Sequence, residues 1–484
     1  MRNECSERSG LVHAQPLDQA TFCSMHRALR ILRCSTPLAV ALTVLLAVAS
    51  SAPAQDWHQG YQVEKPPAVL SLRQQKAAIN RLLQERLETL LPRLMRETGL
   101  DMWIVINREY NEDPVYKTLV PAPVFAARRT TILVFFDRGE QLGVERLTVS
   151  RYGLGGVYES AWEGGTADDQ WDRLATIVKE RDPKRIGINT SEHWAFGDGL
   201  SSGLRARLDR ALHEQRERLT SAEQLCIRWL ETRSPGELEV YPQIVQLARG
   251  VIAEAFSNDV ITPGVTTCED VRWWLRERFE SLGLPVWFHP ICDVQRHDPN
   301  ADPQTPFLGD SNAVIRRGDV LHCDVGIRYL RLHTDTQEMG YVLRPTERAV
   351  PEGLVRAMAI GNRWQDLLTS SFVGGRTGNQ ILAETRKKSA AEGIRCSIYS
   401  HPLGFFGHAA GPTIGMWDNQ GPTPVRGDWP LHDNTCYAIE GNVRVELPEW
   451  GGQSVQIGLE QDACFDGKQV IYTGGRQTRW HVVR

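Results

Sequence analysis

The chain has 484 residues, which at about 150 residues per domain predicts two or three domains. Hydrophobic residues make up 41% and charged residues 24% of the sequence. This composition is ordinary for a globular protein and excludes a disordered chain, a collagen, a coiled coil and a multi-span membrane protein. The formal net charge is −4 and no basic segment extends over the chain, so nucleic acid is not an expected partner.

Residues 1–54 have the pattern of a targeting segment. Three arginines between residues 27 and 33 precede an apolar run at residues 37–50, which is too short to span a bilayer comfortably. Ala52-Pro53-Ala54 then places small residues at the spacing of a cleavage site. We expect cleavage between Ala54 and Gln55, export to the periplasm or the medium, and no stable membrane insertion afterwards. An uncleaved N-terminal anchor is the alternative.

Residues 66–220 alternate between helical and strand patterns. A helical periodicity over 66–100 ends at Gly99, and Thr166 is a helix N-cap for 166–182. Four short apolar runs have the character of buried strands, at 101–107, 130–136, 146–152 and 185–190. This alternation predicts an α/β domain. It contains no Gly-rich phosphate loop and no clustered His or Asp, so we assign it no chemistry.

The character of the chain changes near 221–240. Ser234-Pro235-Gly236-Glu237 is a helix start, and the helix is expected to continue to about Ala255. A second helix ends near Gly283, strands occupy 318–343, and two further helices lie at 351–371 and 377–392. From 396 onward the pattern predicts strands and loops. The second domain therefore covers 235–484 and mixes helices with strands.

Five residues of this second half have the chemistry of a metal site. Asp324 and Asp335 are eleven residues apart with a polar turn between them, which allows both carboxylates to converge. His408, Glu440 and Glu460 follow. Four carboxylates and one imidazole suit two adjacent divalent cations, since carboxylates can bridge a pair of ions about 3.5–4 Å apart. Taken singly, each of these residues is more commonly a solvated or hydrogen-bonded side chain.

The order of these residues resembles the creatinase, aminopeptidase P and prolidase group of metallopeptidases, which share the pita-bread fold. The segments that carry the resemblance are Asp324-Val325-Gly326 with Asp335, Gly407-His408-Ala409-Ala410-Gly411, Ile439-Glu440 and Leu459-Glu460. The resemblance covers about 235–484, and it implies an α/β N-terminal domain at 66–220. It implies that Asp335 and Glu460 bridge two metal ions, that Asp324 chelates one ion, and that His408 and Glu440 complete the other shell.

The sequence also departs from the family pattern, in which one further His precedes the ligand His by four residues and another follows it by seven. Counting from His408 gives Gly404 and Gly415 at these positions, whereas His401 lies seven residues before His408. Either the segment contains a three-residue insertion and His408 is the ligand, or His401 is the ligand and His408 has another role. We assign His408 as the ligand because it has the Gly-His-x-x-Gly context, and we assign His401 as a catalytic donor on the substrate side. Glu440 is the candidate general base.

Two further positions depart from the family pattern, one before the first Asp and one after Glu440. The family carries a His about seventeen residues before the first Asp, where this chain has Phe307. His297 or His289 could supply an imidazole from the preceding loop, although a solvated loop His is the simpler interpretation of His297. The usual Ile-Glu-Pro-Gly is Ile-Glu-Gly-Asn at 439–442, which puts proline specificity in question more than the hydrolytic core.

These features predict an exported dinuclear-metal hydrolase, an aminopeptidase that releases the N-terminal residue from Xaa-Pro peptides by attack of a metal-bridging hydroxide. The expected cofactors are two divalent ions, Mn, Co or Zn, because the site is rich in oxygen ligands. The expected partner is a peptide substrate, and the resemblance implies a homodimer. The alternatives are a pita-bread binding module without catalysis and a hydrolase of a non-peptide C–N bond.

The seven cysteines that follow residue 54 are odd in number and form no Cys-x-x-Cys motif. An exported protein could oxidise some of them. We expect most to be buried free thiols that act as small hydrophobic residues.

Overall fold

The computed structural model describes residues 67–298, 300 and 312–484. The prediction of a cleaved targeting segment falls on residues outside this part of the chain. The described part of the first half contains six α-helices, at Leu72–Glu85 (α1), Leu91–Glu97 (α2), Tyr116–Leu119 (α3), Ala167–Arg181 (α4), Ser202–Ala211 (α5) and Glu223–Glu231 (α6). Its strands are Met102–Arg108 (β1), Thr130–Asp137 (β2), Val144–Val149 (β3), Glu159–Ser160 (β4), Ile186–Ile188 (β5) and Leu219–Ser221 (β6).

These six strands form one mixed sheet in the order β4-β3-β2-β1-β5-β6. Strand β1 is central and buried on both faces, as its continuous apolar run predicts. Met102 and Ile104 pack into the core formed with α4 and α5, whereas Trp103 and Val105 pack into the core that includes α2 and α6. The predicted α/β fold of this half is confirmed.

The second half contains the helices Pro235–Ala255 (α7), Cys268–Ser281 (α8), Glu352–Thr369 (α9) and Gly378–Ala391 (α10). Its longer strands are Ile291–Gln295 (β7), Val320–Val325 (β8), Thr336–Val342 (β11), Thr435–Glu446 (β14) and Ser454–Phe465 (β15). Its shorter strands are Arg328–Tyr329 (β9), Leu332–His333 (β10), Cys396–Ile398 (β12), His401–Leu403 (β13), Val470–Tyr472 (β16) and His481–Val483 (β17).

A nine-stranded sheet organises this half, with the path β12-β14-β15-β11-β8-β7. Strand β13 also pairs with β14, β16 with β15 and β17 with β11. Helix α9 packs on β14 and β15, where Ile439 and Leu459 join the core that contains Trp364. Because side chains alternate along a strand, Glu440 and Glu460 lie on the opposite face from α9.

The helix starts of this half follow from local sequence. The Ser234 hydroxyl accepts a hydrogen bond from the backbone N–H of Glu237, and the Glu237 carboxylate accepts one from the backbone N–H of Ser234. This capping box satisfies N–H groups that a helix N-terminus leaves free. It also fixes where α7 enters the domain, at the position that the sequence predicts.

Packing joins the two halves. Arg86 lies between α1 and α2 and forms a buried ion pair with Glu237 at 2.7 Å. Aromatic pairs add Trp194 on Trp429 at 5.5 Å and Phe196 on Phe406 at 4.7 Å between ring centroids. The boundary between 66–220 and 235–484 stays a prediction, since one hydrophobic core contains residues of both halves.

Across the described residues, no helix combines the length and apolar character needed to cross a membrane.

Candidate metal centre

Four polar side chains form a row across the sheet. Asp324 on β8 lies opposite Gln337 on β11, Gln337 lies opposite Glu460 on β15, and Glu460 lies opposite Glu440 on β14. Residues that are directly opposite in neighbouring strands share a face. The register of four strands therefore gathers three of the predicted ligands, with Gln337 between them.

Asp335 joins this row from the start of β11. The hairpin that the polar turn predicts is present as β9 and β10, and it returns the chain so that Asp335 precedes Thr336, the first residue of β11. Asp462 holds this segment in place. One of its carboxylate oxygens accepts the backbone N–H of Asp335 at 3.1 Å, and the other accepts the Thr336 hydroxyl at 3.0 Å.

His401 points into the same cluster. It begins β13 and pairs with Ala438 on β14, two residues from Glu440. Its Nε2 lies 3.5 Å from Asp335 Oδ2, 3.6 Å from Glu440 Oε2 and 3.7 Å from Glu460 Oε1. One imidazole nitrogen thus faces three carboxylates at the separations that a shared cation would need.

His408 lies farther out, in the loop after β13. Its side chain is exposed whereas His401 is 3% exposed, and its Nε2 is 3.3 Å from the hydroxyl of Tyr399. The rings of His401 and His408 meet edge to face at 4.6 Å between centroids. The distances favour His401 over His408 as the imidazole ligand, because the pairing of β13 with β14 directs His401 inward while the loop carries His408 to the edge.

Unpaired polar atoms mark the cluster as a cation site. Asp324 Oδ1, Asp335 Oδ1, His401 Nε2 and Glu460 Oε1 are buried and have no hydrogen-bond partner. Buried polar groups are normally hydrogen-bonded, so each such atom calls for an explanation. A divalent cation supplies one, since carboxylate oxygens and a neutral imidazole nitrogen are electron-pair donors.

Three overlapping groups of side chains can each direct donor atoms at one point, with all donors within 4.8 Å of one another. The groups are Asp324, Asp335 and Glu460; His401, Glu440 and Glu460; and Asp335, His401 and His408. Glu460 belongs to the first two groups, Asp335 to the first and third, and His401 to the second and third. Of these three residues, only a carboxylate has two oxygen atoms with which to bridge two ions.

The electrostatics agree with a site built for positive charge. Burial raises the pKa of Asp324 to about 6. Burial, reinforced by repulsion from neighbouring carboxylates, raises the pKa of Asp335, Glu440 and Glu460 well above their usual range. Burial lowers the pKa of His401 to about 3, which keeps its imidazole neutral and able to act as a ligand.

Gln337 and His322 are site residues that the sequence analysis missed. The amide nitrogen of Gln337 donates to Glu440 Oε1 and to Glu460 Oε2, both at 2.9 Å. Its amide oxygen lies 2.9 Å from His322 Nε2, so that nitrogen must be the donor. Gln337 follows Asp335 by two residues and His322 precedes Asp324 by two. Residues two apart on a strand share a face, so this spacing could have predicted that both side chains lie at the site.

Two glycines make room for an aromatic wall. A Cβ on Gly326 would lie 1.9 Å from Trp287 Nε1, and one on Gly407 would lie 2.3 Å from the Trp287 ring. Trp287 donates its indole N–H to the carbonyl of Thr334 at 2.9 Å and packs against His408 at 5.1 Å between centroids. The glycines of the two motifs therefore shape the rim of the cluster.

The other predicted imidazoles lie against aromatic rings. His297 stacks on Trp450 at 5.9 Å between centroids, and His289 tilts against Trp273 at 4.9 Å. Phe307 falls outside the described residues. Among the described residues, the groups of side chains that could hold a metal include neither His297 nor His289, and their part in the site stays a prediction.

The family model for metallopeptidase family M24 matches residues 241–462. This span contains Asp324, Asp335, His401, His408, Glu440 and Glu460, and it covers the sheet that carries them. Among curated proteins the sequence has no match.

Solved structures have the same fold. An X-Pro aminopeptidase from Thermotoga maritima MSB8 is 18% identical, with a TM-score of 0.57 over 81% of this chain and 100% of that one. A Xaa-Pro dipeptidase from Bacillus anthracis is 16% identical, with a TM-score of 0.54 over 84% and 100% of the two chains. A dipeptidase from Pyrococcus horikoshii OT3 is 16% identical, with a TM-score of 0.54 over 82% and 100%.

These likenesses confirm the predicted fold class, an α/β N-terminal part followed by a pita-bread part. The family match confirms the predicted resemblance to the creatinase, aminopeptidase P and prolidase group. Residues 241–462 therefore match metallopeptidase family M24, and the chain is a metallopeptidase.

Proposed function

We propose that the protein is an exported aminopeptidase that releases the N-terminal residue from Xaa-Pro peptides with two divalent ions bound. The observation that carries the proposal is the set of buried donor atoms without partners on Asp324, Asp335, His401 and Glu460. The relatives of known structure that are named for Xaa-Pro peptides support the substrate class. Bound divalent ions would supply an activated water and polarise the substrate carbonyl.

In this proposal His401, not His408, is the imidazole ligand. Its Nε2 faces three carboxylates within 3.7 Å. This choice also places a His seven residues after the ligand, as the family pattern has it. With His401 as the ligand, His408 is the His that follows by seven residues, and no insertion is needed.

The four carboxylates have distinct roles by position. Glu460 belongs to both donor groups that lack His408, and Asp335 shares one of them with Glu460 and lies 3.5 Å from His401 Nε2, so we assign both carboxylates as bridging ligands. Asp324 belongs to one group and is assigned to one ion. Glu440 is the least buried of the two glutamates, with 15% of its side chain exposed against 1% for Glu460. It is therefore the carboxylate that can receive a proton from the attacking water.

His408 is then placed to contact the substrate. The Tyr399 hydroxyl is 3.3 Å from its Nε2, and donation from that hydroxyl leaves the Nδ1 proton of His408 free for another acceptor. Burial, with a smaller effect from Arg426, lowers the pKa of His408. A neutral imidazole at the rim can donate to a developing oxyanion.

A peptide panel tests the proposal. Xaa-Pro dipeptides, Xaa-Pro-Xaa tripeptides and matched Xaa-Ala peptides are assayed with Mn²⁺, Co²⁺ or Zn²⁺ added separately to protein freed of metal. Release of the first residue from the tripeptides ahead of proline is the expected result. Cleavage of Xaa-Ala peptides at the same rate would contradict the proline preference, and cleavage of dipeptides alone would identify a dipeptidase instead.

Export has a separate test. The basic residues before the apolar run and the Ala52-Pro53-Ala54 site support it. The N-terminus of protein recovered from an expressing bacterium's periplasm is expected to be Gln55. An intact segment at residues 37–50 in that protein would favour a membrane anchor.

A further inference from the structure

Two buried cysteines face each other on the strands that carry the glutamates. Cys436 on β14 is directly opposite Cys464 on β15, and the two residues are 1% and 6% exposed. Both are free thiols in the structure, and the neighbouring Cys464 thiol adds to burial in raising the pKa of Cys436. Both residues are four positions from a predicted ligand, since Cys436 precedes Glu440 and Cys464 follows Glu460.

The backbone directions show which kind of cross-strand pair this is. The carbonyl of Glu440 accepts the N–H of Tyr399 at 3.2 Å, and the carbonyl of Ala438 accepts the hydroxyl of Ser400. Even-numbered residues at this end of β14 therefore direct their backbone groups toward β13. On the far side, the carbonyl of Asp462 accepts the N–H of Thr473 at 3.0 Å and points away from β14.

It follows that Cys436 and Cys464 form a non-hydrogen-bonded pair. Such pairs bring Cα atoms to about 4.5 Å, closer than the roughly 5.5 Å of hydrogen-bonded pairs. A disulfide needs Cα atoms about 4.4–6.8 Å apart with Cβ atoms facing each other. The register thus satisfies the geometric requirement without moving either strand.

We propose that Cys436 and Cys464 are a disulfide-forming pair, closed during export when the chain folds in an oxidising compartment. The oxidant is an oxidised dithiol carrier. The thiolate of one cysteine attacks the carrier disulfide and displaces one carrier thiolate. The second cysteine then attacks the mixed disulfide, which forms the Cys436–Cys464 bond and releases the carrier as its dithiol. Two protons leave the cysteines, and the carrier gains two electrons.

The timing follows from burial. Burial raises the pKa of Cys436 well above its usual range, and the thiolate is the attacking species. The exchange therefore takes place before β14 and β15 are buried. Once formed, the bond ties the two strands together on the face that carries Glu440 and Glu460.

A second group of thiols is the competing site. Cys292 lies beside Cys268 and opposite Cys323 on β8. It therefore has two neighbouring thiols, and the structure does not favour one disulfide partner over the other. Cys436 and Cys464 have only each other in such a register among the described cysteines. The proposal rests on the export proposed above, and it is independent of peptidase activity and of the substrate.

Peptide mapping without reduction tests the pair. The full chain is exported to a bacterial periplasm, free thiols are alkylated in denaturant at acidic pH, and digests are compared with and without reductant. The expected result is a linked peptide that contains Cys436 and Cys464, with Cys226 and Cys396 alkylated as internal controls. Alkylation of both Cys436 and Cys464, or a link from either to Cys268, Cys292 or Cys323, would overturn the proposal.

A second measurement avoids variants that fail to fold. Wild-type protein is denatured, reduced and refolded in a series of glutathione redox buffers, and the linked peptide is quantified. It should appear cooperatively as the buffer becomes oxidising, and the oxidised protein should have a higher Tm than the reduced protein. A linked fraction that stays at zero across the series would refute the assignment.

Discussion

In protein without bound metal, the buried charge of Asp324 should lower the free energy of unfolding by an amount that can be measured. Burial raises the pKa of this carboxyl from 3.8 to about 6, so the folded state binds its proton more tightly than the unfolded chain does. Stability is therefore lost as pH rises from the unfolded pKa through the folded one. A shift of this size corresponds to about 3 kcal/mol once the group is fully ionised in both states.

The perturbation is Asp324→Asn in protein treated with a chelator. The difference between the two proteins reports Asp324 together with the repulsion that it exerts on Asp335, Glu440 and Glu460, which adds to the gain at high pH. Relative to the wild type, the metal-free variant should gain less than about 1 kcal/mol near pH 4 and about 3 kcal/mol at pH 7. The assay is urea unfolding at a series of pH values, followed by fluorescence.

Added metal should reverse the ranking, since bound ions stabilise the folded state by mass action and Asp324→Asn weakens that binding. A difference between wild type and variant that does not change with pH would refute the electrostatic reasoning. So would an equal gain in stability of both proteins on adding metal.

Three further predictions concern single side chains. His401→Ala should lose bound metal and activity together, measured by elemental analysis and peptide hydrolysis. His408→Ala should keep its metal and lose about 10²–10³-fold in kcat. The reverse pattern would show that His408 is the ligand. Gly407→Ala should lower the free energy of unfolding in urea by about 1–3 kcal/mol, because its Cβ would lie 2.3 Å from Trp287. The control is Gly203→Ala, whose Cβ would have no atom within 4 Å and which should change the free energy of unfolding little. Ser234→Ala should cost about 1 kcal/mol in the same assay, through loss of the α7 cap, and an unchanged midpoint would show that the capping box is dispensable.

Local signals in the sequence predicted much of the fold. Strands β1 and β2 are continuous apolar runs, and helices α4 and α7 begin after Thr166 and Ser234 because these side chains accept N-terminal N–H groups. These features depend only on residues that are close in sequence, so they can be predicted without knowing the tertiary structure. The boundary between the two domains is harder to predict from the sequence, since residues of both halves share a core.

The ligand set depends on contacts between strands that are far apart in sequence. The order of the motifs pointed to Asp324, Asp335, Glu440 and Glu460, but the choice between His401 and His408 required the pairing of β13 with β14. Gln337 was missed because an amide has no charge to single it out, although it lies at the centre of the row. The pairing of Cys436 with Cys464 likewise depends on the register of β14 and β15.

The most direct test of the account is the number of divalent ions that the folded chain holds. Protein freed of metal, loaded with Mn²⁺ and dialysed, should contain two equivalents by elemental analysis. Glu460→Gln should fall to one equivalent or none, because Glu460 is shared between two donor groups. Glu446→Gln, a change at an exposed residue of β14, should keep both ions. Wild-type protein without bound metal, or Glu460→Gln protein that retains two equivalents, would contradict the proposed centre.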